Sequence, residues 1–139
     1  MSLMPKRTKF RKAHRGRLKG VATRGHRVSF GDFGLQSLDY AWLSGRQIEA
    51  GRVAASRATD GQARVWIRVF PHKPTSSKPA EVRMGTGKGE VEYWAAEIKP
   101  GTLLFEIGGV TEDKAKAAFK RVAHKMPIKV KMVRRLPTT

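Results

Sequence analysis

Seven consecutive residues, Arg83-Met84-Gly85-Thr86-Gly87-Lys88-Gly89, combine three alternate glycines with two flanking cations. Glycines at that spacing carry too much backbone entropy for a helix or strand interior, but they let the chain approach another molecule closely with its amides exposed. Arg83 and Lys88 add charge-assisted donors, and phosphate is the group that suits such a set best. A nucleotide-binding P-loop is excluded. That loop needs a glycine five residues before the Gly-Lys pair and a Ser or Thr after it. Here Val82 and Gly89 occupy those positions. The dinucleotide fingerprint fails as well, because the spacing is G-x-G-x-G. The segment reads as a cationic finger directed at a polyanion.

Charge supports that reading. The chain has 139 residues, 29 Lys and Arg against 11 Asp and Glu, a net charge of +18 and a pI near 11.2. Such self-repulsion opposes compaction until a polyanion neutralises it, and nucleic acid is the foremost candidate. The cations are segregated. Residues 1–31 hold ten and no acid, residues 114–139 hold nine and no acid, and residues 32–113 hold ten bases with all eleven acids. The sequence therefore predicts one near-neutral domain with two basic flanks. Residues 1–27 read as an extended basic arm that orders on its partner, residues 28–139 as a globular core, and residues 71–90 as a finger loop within it.

Other chemistry finds little support. Cysteine is absent, which excludes disulfides and thiolate metal sites. His14, His26, His72 and His124 are scattered without ligand spacing, Glu90 and Glu92 read as a strand pair relieved by nearby cations, and Ser76-Ser77 lacks an evident base. No catalytic residue, metal site or cofactor is predicted, and no apolar run approaches the ~20 residues needed to span a bilayer. A soluble intracellular chain is expected, without a secretory signal.

The elements that hold the finger read as α+β. Residues 28–38 are strand-like but interrupted by glycines, and an irregular pair of short strands is expected. Ser44 and Gln47 form a capping box for a helix whose small face is Ile48, Gly51, Ala54, Ala55 and Ala58, ended by Asp60-Gly61. Val65 to Phe70 is apolar on both alternations except at Arg68, which predicts a central strand. Pro71 to Pro74 breaks it. Tyr93–Ile98 and Thr102–Ile107 read as a hairpin closed by Lys99-Pro100-Gly101. Thr111 opens a second helix with the core stripe Ala115, Ala118, Phe119, Val122 and Met126. Ile128, Val130 and Met132 then alternate with Lys129 and Lys131 in a last strand with one wet cationic face. Trp42, Trp66 and Trp94 are expected in the core. The sum is a mixed, mostly antiparallel sheet with two helices packed on one face.

Several motifs in fixed order also resemble one family. Pro5-Lys6-Arg7-Thr8-Lys9-Phe10-Arg11-Lys12, Gly31-Asp32-Phe33-Gly34-Leu35-Gln36, Arg46-Gln47-Ile48-Glu49-Ala50, Val65 to Pro71, the finger followed by Trp94, and Lys125-Met126-Pro127-Ile128-Lys129 are similar to the large-subunit ribosomal protein numbered sixteen of bacteria and organelles, whose archaeal and eukaryotic counterpart is numbered ten-e. One turn departs from the pattern: Asp60-Gly61-Gln62-Ala63-Arg64 stands where the family usually carries a basic turn, and Arg64 replaces it in part.

The resemblance implies a non-enzymatic constituent of cytoplasmic or organellar ribosomes, seated between the central protuberance and the peptidyl-transferase region. It implies as partners large-subunit rRNA, A- and P-site tRNA and neighbouring ribosomal proteins, with a part in late subunit assembly, and neither a membrane nor a small-molecule substrate. The rRNA contacts would fall to Lys6, Arg7, Lys9, Arg11, Lys12, Arg15, Arg17, Lys19, Arg24 and Arg27 of the arm and to Lys129 and Lys131. The tRNA-proximal set would be Lys78, Arg83, Met84, Gly85, Gly87, Lys88 and Gly89. Two other classes share some of these features: a nucleoid-type DNA-binding protein, whose second helix nevertheless offers no base-reading Asn or Gln, and an enzyme that grips a phosphorylated substrate with the finger.

Overall fold

The computed structural model describes residues 5–6, 19–22, 25–77 and 90–135. In chain order these form β1 (Phe33–Ser37), β2 (Ala41–Ser44), α1 (Gly45–Ala58), β3 (Arg64–Ile67), β4 (Lys73–Ser77), β5 (Glu90–Ile98), β6 (Leu103–Gly108), α2 (Glu112–Ala123) and β7 (Val130–Arg134). The α+β class, the antiparallel pairing and the two-helix layer are those expected. The strands divide, however, between a four-stranded sheet of order β3-β6-β1-β7 and a three-stranded sheet of order β2-β5-β4.

The capping box forms as its spacing predicts. The Gln47 N–H donates to Ser44 Oγ (3.2 Å), and the Ser44 N–H donates to Gln47 Oε1 (3.0 Å). Ile48, Gly51 and Ala55 of α1 are buried. A Cβ at Gly51 would lie 2.7 Å from Phe105 Cζ and 3.0 Å from Met126 Cε, so this glycine lets the helix sit close on the sheet. Asp60 (φ 51°) and Gly61 (φ 73°) turn the chain out of α1 in the left-handed region. The predicted stripe is buried, Ala115, Ala118, Phe119 and Val122 within α2 and Met126 just beyond its end, and the helices pack on each other and on Leu35, Phe105 and Ile107. Thr111 occupies the N-cap without a side-chain hydrogen bond; Glu112 and Asp113 supply the favourable charge in that first turn.

Five expectations need correction. The turn at Lys99 to Thr102 exists, with the Thr102 N–H donating to Lys99 O (3.1 Å) and Gly101 at φ 94°. It does not close a hairpin. β5 lies between β2 and β4, and β6 lies between β1 and β3, so neither has a free edge for the other and the turn carries the chain between sheets. Val65 to Phe70 is not a central strand. β3 ends at Ile67 on the edge of its sheet, with Val65 and Ile67 toward the helices and Trp66 on the other face. It reads apolar on both alternations because both faces of the edge are covered. Residues 28–38 supply one strand, since the amides of residues 29–31 bond a side chain instead of a neighbouring strand. The Pro- and Ser-rich stretch after Phe70 contains β4, in which Pro74 pairs with Trp94 at a sheet edge, where a missing donor is tolerated. The three tryptophans are half-buried and lie outside the buried core cluster.

The two faces of α2 give a direct test. Phe119 is 3% exposed and Lys120 is exposed. Phe119→Ala is expected to destabilise the fold by about 3–5 kcal/mol, and Lys120→Ala by no more than ~0.5 kcal/mol. Denaturant midpoints that coincide for the two variants would show that the helix buries its other face.

Candidate nucleic-acid interface

The four-stranded sheet has a second face, away from the helices, and its chemistry is set by one carboxylate. Register places Val133, Gly34, Glu106 and Trp66 in a row across β7, β1, β6 and β3. Glu106 is completely buried. Its Oε1 accepts from the N–H groups of Ser29 (2.8 Å), Phe30 (2.8 Å) and Gly31 (3.0 Å), and its Oε2 from the guanidinium of Arg68, which also reaches Arg27 O (3.4 Å). Burial pushes this carboxyl's pKa up, but the bonds from Gly31, Arg68, Phe30 and Ser29 outweigh it and hold the group below its ordinary range.

This carboxylate seats the root of the basic arm. Val28 lies over Gly34, where a Cβ would come within 2.9 Å of its Cγ2, and a Cβ at Gly31 would lie 2.6 Å from Ile107 O. Farther back, Leu103 N–H donates to Gly25 O (2.9 Å), Ala22 N–H to Pro100 O (2.9 Å) and Tyr40 Oη to Gly20 O (2.7 Å). Tethering thus begins before residue 27, at Gly20, Ala22 and Gly25.

Three further acids pair with described cations. Glu49 pairs with Arg52, Glu97 with Lys73 (3.5 Å), and Glu112 with Lys116 (3.8 Å) and Arg134. The Arg134 hydrogen bond holds the Glu112 carboxyl below its ordinary range. Lys120, Arg121, Lys125, Lys129, Lys131 and Arg135 are exposed and form no ion pair with a carboxylate among the described residues. Lys129, just before β7, and Lys131 within it carry this charge onto the edge strand opposite β3.

Of the arm cations, Lys6, Lys19 and Arg27 are exposed. Arg7, Lys9, Arg11, Lys12, Arg15, Arg17 and Arg24 lie outside the described residues. So do Lys78, Arg83, Met84, Gly85, Gly87, Lys88 and Gly89 of the finger. Both ends of the finger are fixed, because Ser77 pairs with Glu90 at the end of the antiparallel β4–β5 pair. It springs from the three-stranded sheet, while arm root and β7 belong to the four-stranded one. Among the described residues no group of three His, Asp or Glu could hold a metal, and no helix is long and apolar enough to cross a membrane.

Sequence reading missed Glu106 and the cluster around it. A signal existed: Glu106 is the one charge in Leu103–Ile107 and Arg68 the one charge in Val65–Phe70. Lone opposite charges in two apolar runs mark a buried pair.

Comparison with known proteins gives a consistent family. A family model described as ribosomal protein L16p/L10e matches residues 5–133. The large ribosomal subunit protein uL16 of Rhodopirellula baltica is 57% identical over 135 residues, covering 97% of this chain and 98% of that protein. The corresponding uL16c proteins of Guillardia theta and Zygnema circumcarinatum are 58% and 55% identical, covering 96% and 95% of this chain and 99% and 94% of theirs.

The Glu106 cluster generates a pH prediction. A carboxyl whose pKa is lowered on folding contributes stability above its unfolded value, and that contribution is lost as pH falls through the lower folded value. Stability of the native protein should therefore fall as pH drops below about 4.5, the ordinary value. Glu106→Gln should be less stable at neutral pH by about 3–5 kcal/mol, because it leaves Arg68 without its partner, and its acid limb should be shallower. Parallel acid limbs in chemical denaturation would show that Glu106 does not carry the effect.

Proposed function

The chain belongs to the ribosomal protein L16p/L10e family, and on that footing we propose how its surfaces divide the work of a structural constituent of the large ribosomal subunit. In this reading the arm and β7 bind large-subunit rRNA, the finger approaches tRNA in the A and P sites, and the protein performs no catalysis of its own. The observation that carries the reading is the match over residues 5–133. The excess of basic residues in the two flanks, and the exposed cations of α2 and β7 that form no ion pair among the described residues, support it independently, since phosphate is what such surfaces neutralise.

The cations of the arm, Lys6 to Arg27, and Lys129 and Lys131 serve as phosphate contacts. The Glu106 anchorage of residues 29–31 gives the arm a fixed point of departure. The finger is suited to a second nucleic acid because its ends are held by β4 and β5, on the other sheet from the arm root. Arg83 and Lys88 grip phosphate, and Gly85, Gly87 and Gly89 permit close approach. Association with rRNA and neighbouring ribosomal proteins follows from the family; contact with tRNA is the finer part of the proposal.

Two experiments test these roles. Deletion of residues 1–18 spares the tethered segment and should leave the globule folded. The slope of log affinity for rRNA against log salt should fall by roughly 0.7–0.9 for each phosphate that the arm no longer neutralises; an unchanged slope would remove the arm from the interface. For the finger, Arg83→Ala with Lys88→Ala should still assemble into large subunits, with A-site tRNA bound more weakly by about 1.5–3 kcal/mol for each well-formed hydrogen bond removed. Fully incorporated variant with native tRNA affinity and elongation rate would refute the tRNA role, and failure to incorporate would shift the finger to assembly.

A further inference from the structure

The aromatic pair Phe30 and Trp66 has no role in the phosphate contacts proposed above. Phe30 is 59% exposed, yet it is held in place from several sides. Its ring stacks on Trp66 with centroids 6.3 Å apart and planes inclined by 21°. The Arg68 guanidinium lies 5.0 Å from its centroid, and that of Arg64 lies 6.0 Å from the Trp66 ring. The Phe30 N–H is bonded to Glu106, as are those of its two neighbours. Trp66 in turn lies against two glycines: a Cβ would approach its Cζ3 to 3.0 Å at Gly31 and 3.2 Å at Gly108. A scattered exposed aromatic needs no explanation. This one is backed by a second ring, fixed at its backbone and bracketed by arginines.

The chemistry that recognises such a surface is a planar base joined to an anion. Aromatic side chains bind unpaired bases through their π-faces, whereas a paired base inside a duplex offers none. The arginines have separate tasks. Arg68 is balanced by Glu106 and holds the ring, while Arg64 is exposed and forms no ion pair with a carboxylate among the described residues. Exposed Arg27 precedes Phe30 by three residues. This local positive charge, on a chain of net charge +18, favours an anionic partner over another apolar protein surface.

The geometry points to an RNA base-stacking site: Phe30, backed by Trp66 and held by Glu106, receives one unpaired nucleobase while Arg64 engages the adjoining phosphate. This rests on the reading of the chain as an rRNA-binding protein and adds to it an interaction that phosphate neutralisation does not supply. Glu106 is a positioning residue here.

The test uses the full chain at fixed salt with two probes, a short single-stranded oligoadenylate and a fully paired RNA duplex. Phe30→Ala should weaken binding of the single strand by about 5- to 150-fold, the range for losing one stacked base. Its salt slope and its affinity for the duplex should be unchanged. Phe30→Leu keeps an apolar side chain on Trp66 without a π-face and should lose as much as Phe30→Ala, so a folding defect in the latter leaves the test intact. Phe30→Trp should retain binding, and Arg64→Ala should reduce the salt slope by roughly 0.7. Native affinity of Phe30→Leu for the single strand, or an equal loss on the duplex, would overturn the stacking site. Salt-independent binding of both probes by the unaltered protein would instead overturn the RNA-binding reading beneath it.

Discussion

A carboxylate without solvent contact stands in one of the two inner strands of the four-stranded sheet, and much of the molecule is arranged to make that tolerable. Removing an ion from water costs several kcal/mol unless its lone pairs are satisfied. Glu106 is satisfied by three successive amides and one guanidinium. Successive amides can converge on one oxygen only if residues 29–31 leave the extended conformation. That single bonding arrangement brings the arm across the sheet, places Gly31 against Ile107 and Trp66, and presents the Phe30 ring outward. β6 is consequently buried along its whole length, with helices on one side and the arm root on the other.

A second constraint is the exchange of sheets at Lys99 to Thr102. Because β5 and β6 each have two other partners, the turn divides one run of chain between two sheets. The division separates the surfaces that are proposed to meet nucleic acid. The arm root and the Lys129–Lys131 edge belong to the four-stranded sheet, and the finger belongs to the hairpin β4–β5. Under the proposed division of roles, rRNA and tRNA need not compete for one surface.

Charge follows the same separation. Described acids are occupied by neighbouring cations at Glu49, Glu97, Glu106 and Glu112, and each pair removes charge from the core and its margins. Lys120, Arg121, Lys125, Lys129, Lys131 and Arg135, on and after α2 and along β7, stay exposed and outside any ion pair among the described residues. A surface of that kind is stable beside phosphate and self-repelling without it.

Features that depend on neighbours along the chain were legible before folding is considered. The Ser44–Gln47 capping box, the buried stripe of α2, the alternation of Lys129 and Lys131 with apolar residues, and the turn at Pro100-Gly101 are all local, within reach of one helical or strand period. The family motifs are legible for the same reason, being short runs in fixed order. Strand pairing is different in kind, because Pro100-Gly101 specifies a reversal of direction and is silent about partners. The edge position of Val65 to Ile67 likewise emerges only in three dimensions, since two covered faces give an edge strand the pattern of a central one. So does the fate of Glu106. The lone charges at positions 68 and 106 are visible in sequence, but the three amides that complete the site lie more than seventy residues away, and only the fold brings them to one oxygen atom.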